Sequence, residues 1–229
     1  MCGRFNVIDD PELQKLLQDL GIDLNLPTRT NIAPTETIAM VRAAESGGNE
    51  LADVRWWLTP GWASEVSQKY SMFNARCESL ATSRAFSQPF RKRRGIVPIS
   101  AFIEWRAEAG GKQPYLIAAE GEALAVAAVW DRWERGDESV ESCALVTTAA
   151  ARDFQQVHNR MPLVLRADER DRWLDVSQPL EADDPLFTPV LKMPLTVLPV
   201  SRGVNNARNK EPELMVPTGE GLSLAAGSG

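Results

Sequence analysis

Residues 95–148 read GIVPISAFIEWRAEAGGKQPYLIAAEGEALAVAAVWDRWERGDESVESCALVTT. Apolar runs alternate here with short polar segments, one of which carries the glycine pair Gly110-Gly111. Apolar runs bounded by turn residues predict β-strands, and short connections predict that consecutive strands pair as antiparallel hairpins. The predicted strands are Gly95–Arg106, Gln113–Ala119, Ala123–Trp133 and Ser139–Thr148.

Outside this stretch the sequence predicts four strands and four helical segments, so strands outnumber helices over the whole chain. Thr37–Ala43 and Leu51–Leu58 are predicted to pair across a Gly-Gly loop. Asp9–Gly21 has a capping aspartate, a proline in the first turn, leucines at helical spacing and a glycine stop, which predict a helix. The remaining predicted elements are helical segments at Cys77–Phe86, Ala149–Gln155 and Asp168–Val176 and strands at Leu163–Arg166 and Leu195–Ser201. This pattern favours an α+β fold on a curved, mostly antiparallel or mixed sheet, barrel-like, with peripheral helices.

The chain has 229 residues and is 44% hydrophobic, enough for a sizeable core. Without a Pro/Ser/Gly-rich or charged linker, we expect one domain over residues 1–218 and a disordered tail over 219–229. The longest apolar run, Ala123–Trp130, is too short to span a membrane, and no export signal opens the chain. We therefore expect a cytoplasmic monomer, associated with the nucleoid in a bacterium. Three cysteines suit a reducing compartment, and one histidine without a Cys-x-x-Cys pair argues against a metal site or cofactor.

The net charge of −6 argues against a surface that binds nucleic acid everywhere, but it leaves room for a local basic groove. Basic residues are dense between positions 76 and 94, where Glu78 is the one acidic residue. A solvated charged face is the alternative interpretation of such a run. The basic residues are Arg76, Arg84, Arg91, Lys92, Arg93 and Arg94.

Cys2 directly follows the initiator methionine, and a small residue at this position normally permits removal of Met1. The mature chain would then begin with a 1,2-aminothiol. About a tenth of an ordinary α-amine is neutral at pH 7, so it can attack an aldehyde. The neighbouring thiol can then close a five-membered thiazolidine ring by an intramolecular step. The alternative is that Cys2 is an ordinary small residue at a frayed terminus.

Other residues suggest chemistry less specifically. Glu104 lies among apolar residues, which is a setting of acid/base carboxylates, although strand alternation would equally make it a solvated residue opposite Ile103. His158 is the only histidine and fits either a catalytic or a structural role, and Asn74 could simply cap a turn. Trp62, in a turn near the basic stretch, could stack unpaired bases or lie buried under a loop.

These pieces together resemble the SOS response-associated peptidase (SRAP) family of abasic-site processing proteins. The resemblance runs in the family's order from residue 1 to about residue 213. A Trp-Gly-Leu-Ile-Pro stretch of the family appears here in altered form at Trp57–Trp62. The matching motifs are Met-Cys-Gly-Arg-Phe at 1–5, Asn-Ile-Ala-Pro-Thr at 31–35, Asn-Ala-Arg-Cys-Glu at 74–78, Phe-Ile-Glu-Trp at 102–105, His-Asn-Arg-Met-Pro at 158–162 and Val-Asn at 204–205.

The resemblance implies a sensor in the DNA damage and SOS response that captures abasic sites in single-stranded DNA as a thiazolidine crosslink. It also implies lyase activity at abasic sites and a self-processing peptidase activity. Cys2 would be the nucleophile, Asn74 would hydrogen-bond the sugar, Glu104 would shuttle protons and His158 would assist imine formation and its reversal. The residues implied in DNA binding are Arg4, Arg76, Arg84 and Arg160 for phosphates and Pro34 and Trp62 for flanking bases.

Three other functions remain open at this point. Met-Cys-Gly also opens glutamine amidotransferases, whose N-terminal cysteine attacks an amide. Cys2 with His158 and Glu104 could form a Cys-His-acid set of a peptidase acting on other proteins. A noncatalytic single-strand binder is the third. Only the aldehyde chemistry requires a free α-amine, so blocking that amine separates it from amide cleavage.

Overall fold

The computed structural model describes residues 2–181 and 183–227. Strands outnumber helices in this part of the chain. The strands are β1 Arg4–Val7, β2 Arg29–Ile32, β3 Thr37–Ala43, β4 Asn49–Trp56, β5 Asn74–Arg76, β6 Arg94–Ile99, β7 Ala101–Glu108, β8 Gly111–Ala119, β9 Leu124–Arg135, β10 Glu138–Ala149, β11 Arg160–Pro162, β12 Leu195–Pro199 and β13 Leu222–Leu224. The α-helices are α1 Pro11–Asp19, α2 Ser87–Lys92 and α3 Ala167–Leu174. Short 3₁₀ helices span Cys77–Ser79, Arg152–Gln156, Pro185–Phe187, Arg202–Asn205 and Pro212–Met215.

Five strands close into a barrel in the order β10-β4-β3-β6-β9, because β9 pairs again with β10. The β10–β4 pair is parallel and the other pairs of the ring are antiparallel. β11 and β5 add to β10 outside the ring. Residues Leu124–Val129 of β9 are completely buried, as expected for a strand covered on both faces. The predicted α+β fold on a curved, mixed, barrel-like sheet is confirmed.

A second sheet, entirely antiparallel, has the order β13-β12-β8-β7-β1-β2. The single strand predicted at Gly95–Arg106 is wrong. The structure has two strands there, separated at Ser100: β6 belongs to the barrel and β7 to the second sheet. Ser100 turns the chain by donating its N–H to the carbonyl of Asn6 and accepting the N–H of Ile8 on its hydroxyl. Both flanks of Ser100 are buried, so the apolar pattern continues across the break.

The helices lie at the periphery. Asp10 caps α1 by accepting the N–H of Leu13 at 2.8 Å, and the leucines of this helix are buried, as predicted. α3 is also close to its prediction, with Trp173 fully buried. The helical segment predicted at Cys77–Phe86 is instead a 3₁₀ turn at Cys77–Ser79, and α2 begins only after it, with a proline in its first turn. Within the described residues, no helix is long and apolar enough to cross a membrane.

Two segments differ from their predictions near the end of the chain. The structure places Leu222–Leu224 in β13, paired with β12, where we expected a disordered tail. The high glycine and serine content of this segment suggested disorder. Its alternating leucines nevertheless form a short strand in which Leu224 is buried. The strand predicted at Leu163–Arg166 lies earlier, as β11, and is followed by a single bridge from Val164 to Val126. Met1 of the opening motif and positions 228–229 of the expected tail lie outside the described residues.

Candidate active site

The site forms where the start of the second sheet meets an edge of the barrel. Cys2 lies two residues before the start of β1 and is completely buried. Its carbonyl oxygen accepts a hydrogen bond from Nδ2 of Asn74 at 2.8 Å, and its Sγ lies 3.9 Å from the carbonyl oxygen of Arg4. Asn74 opens β5, which pairs with the barrel strand β10. The asparagine therefore fixes the beginning of the chain to the barrel, and its amide reaches Cys2 itself.

Glu104 enters the same region from β7, the neighbour of β1. Arg4 lies opposite Ile103 in this antiparallel pair, and Glu104 is on the same face of β7 as the buried Phe102. Only 3% of Glu104 is exposed, so the solvated-strand interpretation is wrong. Its Oε1 lies 3.8 Å from Nε2 of His158. A carboxylate and an imidazole predicted from separate motifs are thus brought together by the fold.

The orientation of His158 follows from the backbone of β11. Nδ1 of His158 accepts the N–H of Arg160 at 3.0 Å. An imidazole nitrogen that accepts a hydrogen bond carries no proton, so the neutral ring is protonated on Nε2, the nitrogen that faces Glu104. When both nitrogens carry protons, Nδ1 can instead donate to the carbonyl of Arg160, 3.1 Å away. The backbone of Arg160 therefore fixes the orientation of the His158 ring.

The thiol of Cys2 is kept in its protonated form. Burial raises the pKa of the Cys2 thiol well above its ordinary range, and the negative charge of Glu104 acts in the same direction. The effect of Glu104 on this pKa also shows that the two side chains lie within electrostatic range of each other. At neutral pH the sulfur is consequently a neutral S–H group beside a carboxylate, and it needs a base to release its proton as it reacts.

An open cleft is lined by His158, whose side chain is 25% exposed, and by Glu104, whose side chain is almost completely buried. Trp105 closes one side, and its indole N–H donates to Oδ1 of Asn205 at 2.7 Å. The residues that line the cleft are Phe73, Glu104, Trp105, Lys112, His158 and Asn205. Cys2 is completely buried and does not line the cleft, but Asn74, which binds its carbonyl oxygen, directly follows the lining residue Phe73. A ligand in the cleft would therefore meet an acid/base pair at its floor and a cation, Lys112, at its edge.

Two of the four predicted phosphate-binding arginines are held within the protein. Nη1 of Arg4 donates to Oδ1 of Asn31 at 2.8 Å and to the carbonyl of Val204 at 2.6 Å. Asn31 is itself completely buried and has a φ of +50°, a conformation that asparagine tolerates better than most residues. This pair fastens the segment after β12 to β1 and β2, so Arg4 has a structural task.

Arg160 is held in a similar way on the barrel side. Its guanidinium forms a bidentate pair with the carboxylate of Glu78, at 2.5 and 3.0 Å, and donates to the carbonyl of Thr147 at 2.7 Å. The same residue supplies the backbone N–H that orients His158. Arg160 is therefore connected to the catalytic candidates through His158, and its guanidinium is already engaged by a carboxylate.

The other two arginines, Arg76 and Arg84, are exposed. The Arg84 guanidinium lies 4.2 Å from the centre of the Trp62 ring, and the indole N–H of Trp62 donates to the carbonyl of Arg84 at 3.2 Å. Trp62 is 48% exposed, so it does not lie buried under its loop. Pro34 is half-buried in the turn between β2 and β3. We call the exposed residues Arg76, Arg84 and Trp62 the rim residues; their guanidinium groups and indole ring could contact charged and flat groups of a ligand.

Comparison with known proteins identifies the family. A family description, SOS response associated peptidase (SRAP), matches residues 1–207. The chain belongs to the SRAP family. It is 32% identical to the abasic site processing protein YedK of Escherichia coli, over 95% of this chain and all of the relative. It is 29% identical to the abasic site processing protein YoqW of Bacillus subtilis, over 94% of this chain and 99% of the relative.

Solved structures agree with the SRAP assignment at the level of the fold. A protein from Bacteroides thetaiotaomicron superposes with a TM-score of 0.74 at 20% identity, covering 94% of this chain and 99% of that one. A protein from Bordetella bronchiseptica superposes with a TM-score of 0.68 at 22% identity, covering 87% of this chain and all of that one. The barrel and second sheet are thus shared by chains whose sequences have diverged widely.

The structure brings some residues of the SRAP motifs together and leaves others apart. Cys2, Asn74, Glu104 and His158 are brought together, whereas Trp62, Arg76 and Arg84 are exposed and Pro34 is half-buried, and none of the four lines the cleft. Sequence reasoning missed Phe73 and Lys112 as cleft residues. Phe73 is the neighbour of Asn74, and Lys112 follows the glycine turn of the β7–β8 hairpin. Only this proximity in sequence to residues already selected could have indicated them. In the described part of the chain, no group of three His, Cys, Asp or Glu side chains is placed to hold a metal ion.

Proposed function

We propose that this protein captures abasic sites in single-stranded DNA by forming a covalent thiazolidine with Cys2 once Met1 has been removed. Relatives along nearly the whole chain are named abasic site processing proteins. The single observation that carries the chemical proposal is the enclosed cysteine at the second position of the chain, hydrogen-bonded by Asn74 and within electrostatic range of Glu104. An aminothiol there would meet an aldehyde at the floor of an open cleft.

The proposed reaction has two stages. The α-amine of Cys2 first adds to the aldehyde carbon of the ring-opened sugar, and loss of one water gives an imine. The sulfur then adds to the imine carbon, forming the C–S bond, while the thiol proton ends on the nitrogen. The product is a five-membered ring that contains both atoms of the aminothiol. The second stage is intramolecular, so it benefits from a high effective concentration of sulfur.

Glu104 is suited to the proton transfers in both stages. The raised pKa of the Cys2 thiol means that sulfur enters the reaction as S–H, and a nearby carboxylate can accept this proton and return it to nitrogen. His158 Nε2, 3.8 Å from Glu104, can supply a proton to the departing hydroxyl group or replenish the carboxylate. Asn74 would hold the backbone of Cys2 so that amine and thiol approach the same carbon.

The same intermediate accounts for the lyase activity that we include in the proposal. An imine at the sugar acidifies the adjacent C–H, so that a base can remove this proton and the 3′ phosphate can leave by β-elimination. Ring closure by sulfur would compete with that route. We also include self-processing at the Met1–Cys2 bond, for which Glu104, within electrostatic range of Cys2, would act as the general base.

The specificity for single strands follows from the proposed position of the reaction. The aldehyde must reach below the surface of the cleft to meet Cys2, which a flexible strand without a base at that point can do. The exposed guanidinium of Arg76 and that of Arg84, stacked on Trp62, would contact the flanking phosphates.

A crosslinking assay tests the proposal. The protein should form an adduct that survives heating in denaturant with abasic single-stranded DNA and not with the same strand when it is intact. Cys2→Ala retains an α-amine, so it should lose this adduct but yield strand nicking and an adduct trapped by borohydride. Cys143→Ala, which changes another buried cysteine, should crosslink normally. Heat-stable crosslinking by Cys2→Ala, or equal crosslinking of intact DNA, would refute the thiazolidine assignment.

A further inference from the structure

The end of β10 holds the two strands next to Asn74 and His158 on its opposite edges. β5, which begins at Asn74, pairs with β10 in parallel, and β11, which begins two residues after His158, pairs with it in the antiparallel direction. Both strands have a residue opposite Thr147 of β10. The segments that supply the amide and the imidazole of the site are therefore separated by a single strand.

An ion pair joins these two segments across β10. Glu78, in the 3₁₀ helix that follows β5, accepts two hydrogen bonds from the guanidinium of Arg160, at 2.5 and 3.0 Å. The same guanidinium donates to the carbonyl oxygen of Thr147 at 2.7 Å and to its hydroxyl oxygen at 3.2 Å. A bidentate pair fixes the direction of a guanidinium as well as its position. The segment after β5, β10 and the start of β11 are thus tied together.

The pair is ionised, and its arginine is mostly covered by protein. The side chain of Arg160 is 13% exposed, whereas that of Glu78 is 52% exposed. Partial burial alone would raise the pKa of the Glu78 carboxyl, but this pKa is lowered because the Arg160 guanidinium donates to the carboxylate. Neither side chain lines the cleft that holds Glu104 and His158. A contribution of Glu78 to the chemistry must therefore act through the residues that it holds.

Arg160 passes this constraint to His158 through its backbone. The N–H of Arg160 donates to Nδ1 of His158 at 3.0 Å, and Nε2 of the same ring lies 3.8 Å from Oε1 of Glu104. β11 has only three residues and is the edge strand of its sheet. Because the ends of such short elements open most readily, the N–H of its first residue needs further support. The anchored side chain of Arg160 supplies that support.

We propose that Glu78 is a positioning residue that holds the imidazole of His158 in place through Arg160. This connection keeps the neutral imidazole protonated on Nε2 and directed at Glu104. The inference rests on the proposed capture of abasic single-stranded DNA, in which His158 assists the proton transfers. It also gives a function to the one acidic residue between positions 76 and 94.

The first test observes the imidazole directly and needs no DNA. His158 is the only histidine of the chain, so ¹⁵N-labelled protein without a histidine tag gives a single pair of imidazole nitrogen signals. At about pH 8, where an ordinary imidazole is neutral, the wild type should show one tautomer, with the proton on Nε2. Glu78→Gln keeps the shape of the side chain but cannot form the bidentate pair. It should show exchange between the two tautomers.

The second test separates rate from affinity. Affinity is measured on a strand that carries tetrahydrofuran, an abasic analogue that cannot form an imine, and rate on an aldehyde strand at saturating protein. Glu78→Gln should slow capture about 10-fold, less than the loss of His158 itself, without weakening binding of the tetrahydrofuran strand. In a His158→Ala background, Glu78→Gln should change the rate by less than about twofold, because the group that it positions is absent.

Glu50→Gln is the matched control. Glu50 also pairs with an arginine, Arg42, and its side chain is 46% exposed, close to the exposure of Glu78. Arg42 donates its other hydrogen bond to Glu141, far along β10 from Thr147, so this variant should leave the tautomer and the rate unchanged. Arg160→Lys keeps the charge but cannot form a bidentate pair, so it should behave as Glu78→Gln does. Thermal melting identifies a variant that fails to fold, and the other variant of the ion pair then carries the comparison.

The outcomes separate this proposal from the capture proposal. Tautomer exchange in Glu78→Gln, together with no capture of an aldehyde strand by the wild type, would support the role of Glu78 and overturn the capture. A single tautomer in Glu78→Gln, or an equal loss of rate with and without His158, would overturn the role of Glu78 and leave the capture intact. Parallel losses of rate and affinity would also overturn it, because they indicate a general structural role.

Discussion

The floor and the rim of the active site are built in opposite ways. On the floor, Cys2, Asn74 and Glu104 are buried and tied to one another or to the backbone of two sheets. On the rim, Arg76 and Arg84 are exposed. Preorganised groups in an enclosed site act strongly on charge that develops during a reaction, whereas exposed charges attract a polyanion weakly and in a salt-dependent way. On the proposed function, the buried residues would set the rate of capture and the exposed arginines would add affinity for DNA.

The largest effect of a substitution is expected on the rate of capture when Glu104 is changed. Glu104→Gln keeps the shape of the floor but removes the group that moves protons. Capture of an abasic strand should slow by roughly 10²- to 10⁴-fold, as lost acid/base groups commonly cost, with little change in DNA affinity. Single-turnover rates at saturating protein, combined with binding to a tetrahydrofuran strand, measure the two quantities separately.

Glu108→Gln provides the matched control, since Glu108 lies on the same strand but pairs with Arg106 near the surface. It should leave the rate of capture unchanged. A Glu104→Gln protein that captures at the wild-type rate would remove Glu104 from the mechanism and leave only its effect on packing.

A smaller effect is expected on the pH dependence of the free energy of unfolding, because two buried thiols titrate differently in the folded and unfolded states. Burial raises the pKa of the Cys143 thiol, and the Cys2 thiol is raised mainly by the same cause. Above about pH 8.5 an unfolded thiol has lost a proton that the folded state keeps. The free energy of unfolding should therefore be unaffected by these groups below that pH and fall above it, by up to about 1.4 kcal/mol per pH unit for each thiol.

Denaturant titrations between pH 7 and pH 10 check this slope. Cys143→Ala should be less stable at pH 7 because it leaves a cavity, yet lose stability more slowly as the pH rises. Val146→Ala, which creates a cavity on the same strand without removing a titrating group, should keep the wild-type slope. Identical slopes for both variants would show that the Cys143 thiol is not protected in the folded protein.

The smallest effect concerns the rim. Arg76→Ala should weaken binding of a tetrahydrofuran strand a few-fold at low salt and make the log–log dependence of affinity on salt less steep by about 0.7, the value for one phosphate contact on a single strand. Lys15→Ala, which removes an exposed charge from α1, should change neither quantity. An unchanged salt dependence in Arg76→Ala would exclude Arg76 from the phosphate contacts.

Sequence reasoning predicted the fold class correctly, and the four residues that it selected as chemical candidates lie together in the structure, but their surroundings were not predicted. The alternation of β7 could not decide whether Glu104 faced solvent, because that depends on the barrel covering its other side. The break at Ser100 was invisible because both neighbouring segments are apolar. Both errors arise from contacts between elements distant in the chain, which a local pattern does not contain.

The predicted phosphate-binding arginines also show that residue type alone does not reveal contacts between distant parts of the chain. Arg4 and Arg160 carry the same charge as Arg76 and Arg84, so their residue type predicts phosphate binding equally well. Their partners, Asn31 and Val204 for Arg4 and Glu78 for Arg160, are revealed only by the folded chain. Residue type therefore identifies candidates, and the folded chain shows which of them are already engaged by other groups of the protein.

The intact mass of the protein after incubation with abasic single-stranded DNA decides whether Cys2 captures the aldehyde. We expect one covalent species whose mass equals the chain without Met1 plus the oligonucleotide minus one water, with fragmentation placing the bond at Cys2. An adduct on a chain that retains Met1, or a bond located on a lysine, would exclude thiazolidine formation at Cys2.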